Sequence, residues 1–277
     1  MAGSSSEIEL IMGTNCKALA LAGVMLLFLS CQKYASSTIG TTPAPSGGST
    51  LFRMQLGIDP NVKQDTIWTI SYNAIDKPSV ISDSMSGFTA TADYDISQRI
   101  KEISTSRGDQ AMFTYNINGL LSEINLGWAG HRERYVFSYT NNVVSKKSYY
   151  TDNGSGRDLV LAKEYAYTVI NNNITSIKEY NATGELMRTE NCSFDIQPNS
   201  FKDLSLFSYA LLLGADHLID AETYFDKNLL SKVTVTDNAR ITTDELVNTY
   251  TLNGKQFPVK VVSKYKSGTL NWIFSYR

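Results

Sequence analysis

From about residue 66 onward, hydrophobic and polar positions alternate. Trp68, Ile70 and Tyr72 are separated by Thr69 and Ser71, and Phe88, Ala90, Ala92 and Tyr94 by Thr89, Thr91 and Asp93. Tyr135, Phe137 and Tyr139 repeat the pattern, and Trp272, Phe274 and Tyr276 close it. A period of two with one polar face predicts half-exposed antiparallel strands. The aromatic ends of the runs recur at Tyr72-Asn73, Tyr94-Asp95, Tyr115-Asn116, Tyr139-Thr140, Tyr167-Thr168, Phe194-Asp195, Phe225-Asp226, Tyr250-Thr251 and Tyr276. They fall roughly 20 to 30 residues apart, the spacing of repeated supersecondary units.

Most of these sites are followed by turn chemistry and a second apolar run. Asn116-Ile117-Asn118-Gly119, Asn141-Asn142, Asn171-Asn172-Asn173, Asp226-Lys227-Asn228 and Asn253-Gly254 stand in that place. Asn and Gly accept the positive φ that tight hairpins demand. Eight such units predict an all-β fold: a curled antiparallel β-meander of repeated hairpins, an open half-barrel or barrel-like sheet.

One segment departs from the pattern. Pro198 to Gly214 carries Phe201, Leu204, Phe207 and Leu211 at helical spacing, with Leu212 and Leu213 beside them. Asn199 or Ser200 is its candidate N-cap and Gly214 its candidate C-cap. A sheet with one apolar face must bury that face against something. The spacing therefore predicts a short helix over 199–213, packed on the concave side.

Upstream of the alternating region the chain changes character. Ala18 to Leu29 is an apolar run of twelve, followed by Ser30 and Cys31. A membrane-spanning helix needs about 20 apolar residues, whereas twelve suits the core of a signal peptide. Glu7 and Glu9 are out of place in a signal peptide, so translation is expected to start at Met12, leaving Lys17 as the only charge. We read 1–30 as signal peptide, 31–50 as a lipidated cysteine with a flexible Ser/Thr/Gly/Pro tether, and 51–277 as a single β-meander domain. Phe28-Leu29-Ser30-Cys31 resembles a bacterial lipobox, which makes Cys31 the expected lipid attachment site. Phe28 stands where that pattern prefers Leu. Cys16 leaves with the signal and Cys31 carries lipid, so Cys192 remains alone and the core must hold without a disulfide.

The repeating unit is similar to the tyrosine-aspartate repeat of Rhs-type proteins. The mature chain also resembles a family of Bacteroidota lipoproteins described as having a porin-like fold. That resemblance rests on Cys31 and its tether, the hairpins from Tyr94 onward, the excursion from Asn199 to Leu204 and the closing hairpin Tyr250 to Val261. It covers nearly all of 66–277. It implies the fold and brings no catalytic residues.

Composition narrows the function classes. Lys+Arg 25 against Asp+Glu 27 gives a formal charge of −2, without the basic footprint of a nucleic-acid binder. A hydrophobic fraction of 42% excludes a disordered chain. Candidate chemistry is sparse. His131 and His217 have no partner at metal spacing, and there is no Gly-x-Ser-x-Gly elbow. Gly154-Ser155-Gly156 lacks the strand-to-helix context of a phosphate loop. Cys192 shares a strand face with Phe194 and reads as a buried thiol. The sequence gives no catalytic residue, metal ligand or cofactor, and the repeats leave no polar cluster unaccounted for.

The expectation is a monomeric cell-envelope lipoprotein, held to the membrane by its anchor and acting as a non-enzymatic binding or scaffold module. Its partner would be a glycan, a lipid or a protein. The alternatives are an envelope hydrolase with a site in the rim loops, and a carrier holding a hydrophobic or glycan ligand on the concave aromatic face. A transmembrane barrel is the rival architecture. It is disfavoured because Arg134, Glu164, Lys260, Lys264 and Lys266 occupy the non-aromatic face, and because a lipid anchor on an embedded barrel would be redundant. Gln32 to Thr38 holds one cation and no acid, which points to the outer membrane with the domain on the periplasmic side.

Overall fold

The computed structural model describes residues 51–57, 66–84, 86–128, 130–152, 158–211 and 221–276. Met12, Cys31, the tether to Thr50, Gly154-Ser155-Gly156, Gly214 and His217 lie outside the described residues.

Sixteen described strands form a closed antiparallel barrel in sequence order. They are β1 (Leu51–Gly57), β2 (Thr66–Tyr72), β3 (Pro78–Asp83), β4 (Thr89–Tyr94), β5 (Ile100–Thr105), β6 (Gln110–Tyr115), β7 (Leu121–Trp128) and β8 (His131–Thr140). The second half comprises β9 (Val143–Asp152), β10 (Leu159–Ile170), β11 (Asn173–Asn181), β12 (Leu186–Pro198), β13 (Asn228–Asp237), β14 (Thr242–Leu252), β15 (Pro258–Tyr265) and β16 (Gly268–Tyr276). β1 closes the ring by pairing with both neighbours, Met54 standing opposite Trp68 on β2 and opposite Phe274 on β16. The curled meander read from the sequence is thus a complete barrel.

Antiparallel order gives the barrel two distinct ends. The proximal end holds the start of β1, the end of β16 and the turns at 73–77, 95–99, 116–120, 141–142, 171–172 and 253–257. The distal end holds the turns at 105–109, 181–185 and 237–241.

Most of these turns share one construction. In the turn at 116–120, the Asn116 side-chain oxygen accepts from the backbone N–H groups of Asn118 and Leu120, both at 3.0 Å. Gly119, fourth in the turn, takes φ 76° and donates its N–H to Asn116 O. Asn73, Asp95, Asn181 and Asn253 do the same, and Thr105 imitates them with its hydroxyl. A left-handed fourth residue adds a bulge and local twist. The two-residue turns Asn141-Asn142 and Asn171-Asn172 have all four φ angles between 52° and 62°.

The recurring tyrosines have a structural reason. Consecutive strands joined by a turn at the distal end are unconnected at the proximal end. Tyr94 Oη donates there to Pro78 O (2.6 Å), Tyr115 Oη to Ile100 O (2.8 Å) and Tyr139 Oη to Leu121 O (2.6 Å). Each hydroxyl ties the end of one strand to the start of the strand before it.

Sixteen strands enclose more space than their own inward side chains can fill. The excursion between β12 and β13 enters that space. It contains α1 (Lys202–Ser205), α2 (Phe207–Leu211) and a 3-10 turn at Ala221–Phe225. The sequence predicted one helix; the chain instead makes two short turns of helix broken at Leu206. Neither candidate cap residue caps it. Asn199 accepts from the backbone N–H of Phe201, one turn too early, and Phe201 occupies the N-cap position without a side-chain bond. Phe201, Leu204 and Phe207 are fully buried. Phe201 packs on Phe274 of β16 (4.9 Å between centroids), and Tyr209 on Tyr135 of β8 (5.0 Å). α2 lies against β4, β5 and β6, where β4 contributes the small buried residues Ala90 and Ala92 and β6 contributes Ala111. The excursion is therefore a plug that bridges opposite walls.

Phe225-Asp226 does not end a strand as the repeat suggested. The site is a 3-10 turn because Phe225 seats on Phe137 (5.3 Å) and Asp226 accepts from the backbone N–H of Ile174 (2.7 Å).

Candidate functional site

The plug occupies the proximal half of the interior. Towards the distal end the inward positions of β8 to β12 become charged. β8 contributes Glu133 and Tyr135, β9 Lys147 and Tyr149, β10 Lys163 and Tyr165, β11 Glu179, and β12 Arg188 and Glu190. These residues occupy the inward phase of the same alternation that elsewhere carries Phe137, Tyr167, Ile177 and Phe194. The expectation that no polar cluster would be left over is therefore overturned. Each of these charges is unremarkable along the chain; only barrel closure gathers them.

Lys147 is 6% exposed and forms an ion pair with Glu222 of the 3-10 turn. Its ammonium lies over the Tyr165 ring at 4.3 Å and near the Tyr135 ring at 5.7 Å. Tyr167 also donates to Glu222, at 3.3 Å. Glu190 and Glu179 bind the two sides of the Arg188 guanidinium at 3.0 and 2.6 Å, and Lys163 reaches Glu179 at 2.7 Å. Glu133 accepts from both Tyr135 (2.9 Å) and Tyr149 (2.5 Å). Lys147, Lys163, Glu179, Arg188 and Glu190 each have an opposite partner, and Glu133 is held by two tyrosine hydroxyls, which is what makes burial tolerable.

The protonation states follow. Burial alone would raise the Glu179 carboxyl, but Lys163 and Arg188 outweigh it and hold the group below its ordinary value. Burial would likewise weaken Arg188 as a base, and Glu190 and Glu179 push it the other way. Burial, then neighbouring carboxylates, drive Tyr135 and Tyr165 well above the ordinary phenol range, so both remain hydroxyl donors.

Between this wall and the plug lies a cavity of about 200 Å³, with Lys147, Tyr165, Arg188, Glu190 and Glu222 on its polar side. Ile174, Ile177, Leu230 and Val233 form its apolar side. Lys163 and Arg188 are half exposed, at 45% and 46%, so the wall is reached from solvent. On the concave aromatic face Tyr135 stacks on Tyr149 and meets Tyr209 edge-on, Trp272 lies beside Phe274, and a cavity of about 500 Å³ remains at the proximal end among Tyr139, Tyr224 and Phe225.

The residues singled out in the sequence contribute little to this site. His131 stands exposed at the start of β8, its Nδ1 3.7 Å from Asp152. Cys192 lines the cavity and packs, beside Phe194, against Leu230, Val233 and Leu246, as the shared face predicted, but it is half-buried rather than buried because the cavity opens beside it. The readable signal for the site was a charge in the aromatic phase of a strand, as in Arg188/Glu190/Cys192/Phe194. Among the described residues no three His, Cys, Asp or Glu side chains cluster to hold a metal ion.

No protein-family profile matches the chain, and no curated protein matches it. Among solved structures, it is similar to a porin-like protein from Bacteroides uniformis ATCC 8492. The identity is 14% and the TM-score 0.57, covering 84% of this chain and 99% of that one. A porin-like protein from Bacteroides vulgatus ATCC 8482 matches at 12% identity with TM-score 0.43, covering 82% and 98%. A TcdB2-TccC3-TEV structure matches at 12% identity with TM-score 0.29, covering 73% of this chain and 9% of that chain. The first of these likenesses shows the porin-like fold and nothing finer.

The outer surface differs from that of a membrane pore. Thr69, Ser71, Thr91, Asp93, Thr114, Ser138, Thr168, Lys178, Thr249 and Lys260 point outward and are exposed. A bilayer-spanning barrel needs an apolar outer band about 25 Å tall. Here the alternation is inverted, with apolar residues inside and polar residues outside.

Proposed function

We propose that this protein is a lipid-anchored lipoprotein of the cell envelope whose barrel is a non-enzymatic binding module. We further propose that the charged, tyrosine-lined cup at the distal end takes a hydrophilic ligand of the glycan class. The observation that carries this reading is the convergence of paired charges and protonated tyrosine hydroxyls on one solvent-reached inner wall. Tyrosine hydroxyls, carboxylates and the Arg188 guanidinium match the hydroxyl and carboxylate groups of such a ligand. With a polar outer surface, attachment to the outer membrane falls to Cys31, and the domain resides on the periplasmic side.

Two measurements test this. Labelling with an alkyne fatty acid should mark the wild-type protein and not Cys31→Ala; equal labelling removes the anchor. Titration with a panel of neutral and acidic oligosaccharides should give saturable binding, weakened roughly tenfold by Arg188→Lys, which keeps the charge but loses the fork. Binding that ignores Arg188→Lys removes the cup from the proposal. Release of hydrolysed product would make the protein an enzyme instead.

A further inference from the structure

The two ends of the barrel are built from the same five-residue turn but carry different residues on it. At the proximal end, Ile96 and Ile117 occupy the second position and are fully exposed, at 104% and 100%, while Ile75 stands exposed at the third position of the preceding turn. Val143 and Ile170 flank the next two turns and are exposed as well, and Ile196 follows at the end of β12. These residues come from successive hairpins, whose tips are spaced roughly 10 Å apart around the rim. The turn does not require them. Ser106, Ala182 and Asn238 fill the second position at the distal end, and Gly254 does so at the proximal end. Val160, Met187 and Ile241 are exposed at the distal end, at 45%, 37% and 63%, but the proximal rim carries six such residues on its hairpins, two of them fully exposed, and an arc of that kind marks an interaction surface.

The chain indicates what covers this rim. The start of β1 lies at the proximal end, so the segment from Cys31 to Thr50 joins the barrel beside the arc. A Ser/Thr/Gly/Pro-rich stretch of that length would have a random-coil reach of roughly 25 Å. Strands of 10 to 13 residues, such as β9 and β12, run roughly 33–43 Å along their length. A lipid at Cys31 therefore holds the proximal rim near the bilayer at high local concentration and leaves the distal cup remote from it. Exposed Lys227 and Lys255 at the same end suit anionic headgroups.

We infer that the proximal rim is a membrane-docking face, its isoleucine tips seated at the boundary between headgroups and acyl chains, so that the distal cup points away from the lipid. This inference rests on the anchor reading given above. The test uses the full chain, processed and lipidated, in vesicles of phosphatidylethanolamine and phosphatidylglycerol. In a Cys192→Ser background, one environment-sensitive fluorophore is placed by Ile75→Cys at the proximal end or by Ala239→Cys at the distal end. A nitroxide-bearing lipid should quench the proximal probe strongly and the distal probe hardly at all. Ile96→Ser with Ile117→Ser should reduce the proximal quenching roughly threefold. Both positions are solvated, so the change does not unfold the barrel. Equal quenching at both ends of an anchored protein overturns the docking face alone. A Cys31 peptide without acyl mass, with protein free of the vesicles, overturns the anchor and the docking with it. Lipid-independent self-association that the two serines abolish assigns the arc to a second copy and overturns the proposal.

Discussion

At the scale of single residues, the fold depends on two side-chain types, each performing a backbone's task. A tyrosine hydroxyl stands in for a missing ladder bond at the proximal rim, and an Asn or Asp oxygen collects two turn N–H groups. Tyr115→Phe removes the bond to Ile100 O while keeping the ring beneath the Arg99 guanidinium, 4.3 Å away. It should cost about 1 kcal/mol in urea unfolding. Asn116→Ala should cost a similar amount, whereas Asn116→Asp should be nearly neutral, because Asp95 already fills that role one hairpin earlier. If Asn116→Asp is as damaging as Asn116→Ala, the turn is held by something other than that oxygen.

At the scale of elements, hairpins and plug differ in how they are specified. The hairpins were legible because Tyr72, Tyr94, Tyr115 and Tyr139 repeat in phase with their strands. Individual turns were harder to read. Gln98, Arg240 and Gln256 hold the left-handed position that Gly119 and Gly184 advertise openly. The plug was legible as an apolar excursion but not in its shape. Ala221–Phe225 carries an aromatic pair followed by Asp, which imitates a repeat, and only the position of Phe137 across the lumen decides against a strand. The charged wall was legible only as single charges in the aromatic phase of a strand; that they meet was not, since Lys147, Glu179, Glu190 and Glu222 are far apart in the chain. The plug should behave as core. Phe207→Ala empties a fully buried site and should cost about 3–5 kcal/mol. Amide exchange should accelerate across β4 to β6, against which α2 packs. A loss confined to the plug would mean that the barrel stands without it.

At the scale of the whole molecule, the interior charges make stability depend on acidity. The Glu179 carboxyl is held below its ordinary value of 4.5 by Lys163 and Arg188, although burial opposes this, and Lys146 with Ser148 holds Glu164 below the same value on the outer face. A carboxylate whose folded pKa is depressed stabilises the fold fully above the unfolded pKa, and that stabilisation disappears as pH falls through the folded pKa. Thermal unfolding should therefore be flat from neutral pH down to about 5 and fall steeply below about 4.5. Glu179→Gln should lower stability at neutral pH and flatten the acid limb. An acid limb unchanged in that variant would locate the sensitivity elsewhere.

The pairing of β1 with β16 sets an order of events during synthesis. Leu51, in the first described strand, is made long before its partner Tyr276. Until β16 arrives, β1 and each newly formed strand present open ladders able to pair with any neighbouring chain. A vectorially delivered barrel of this design is thus a growing sheet with two sticky margins, and it becomes safe in a single late step. Chaperones would have most to do in the interval before that step. Loss of the final strand would leave not a slightly smaller protein but an aggregating one.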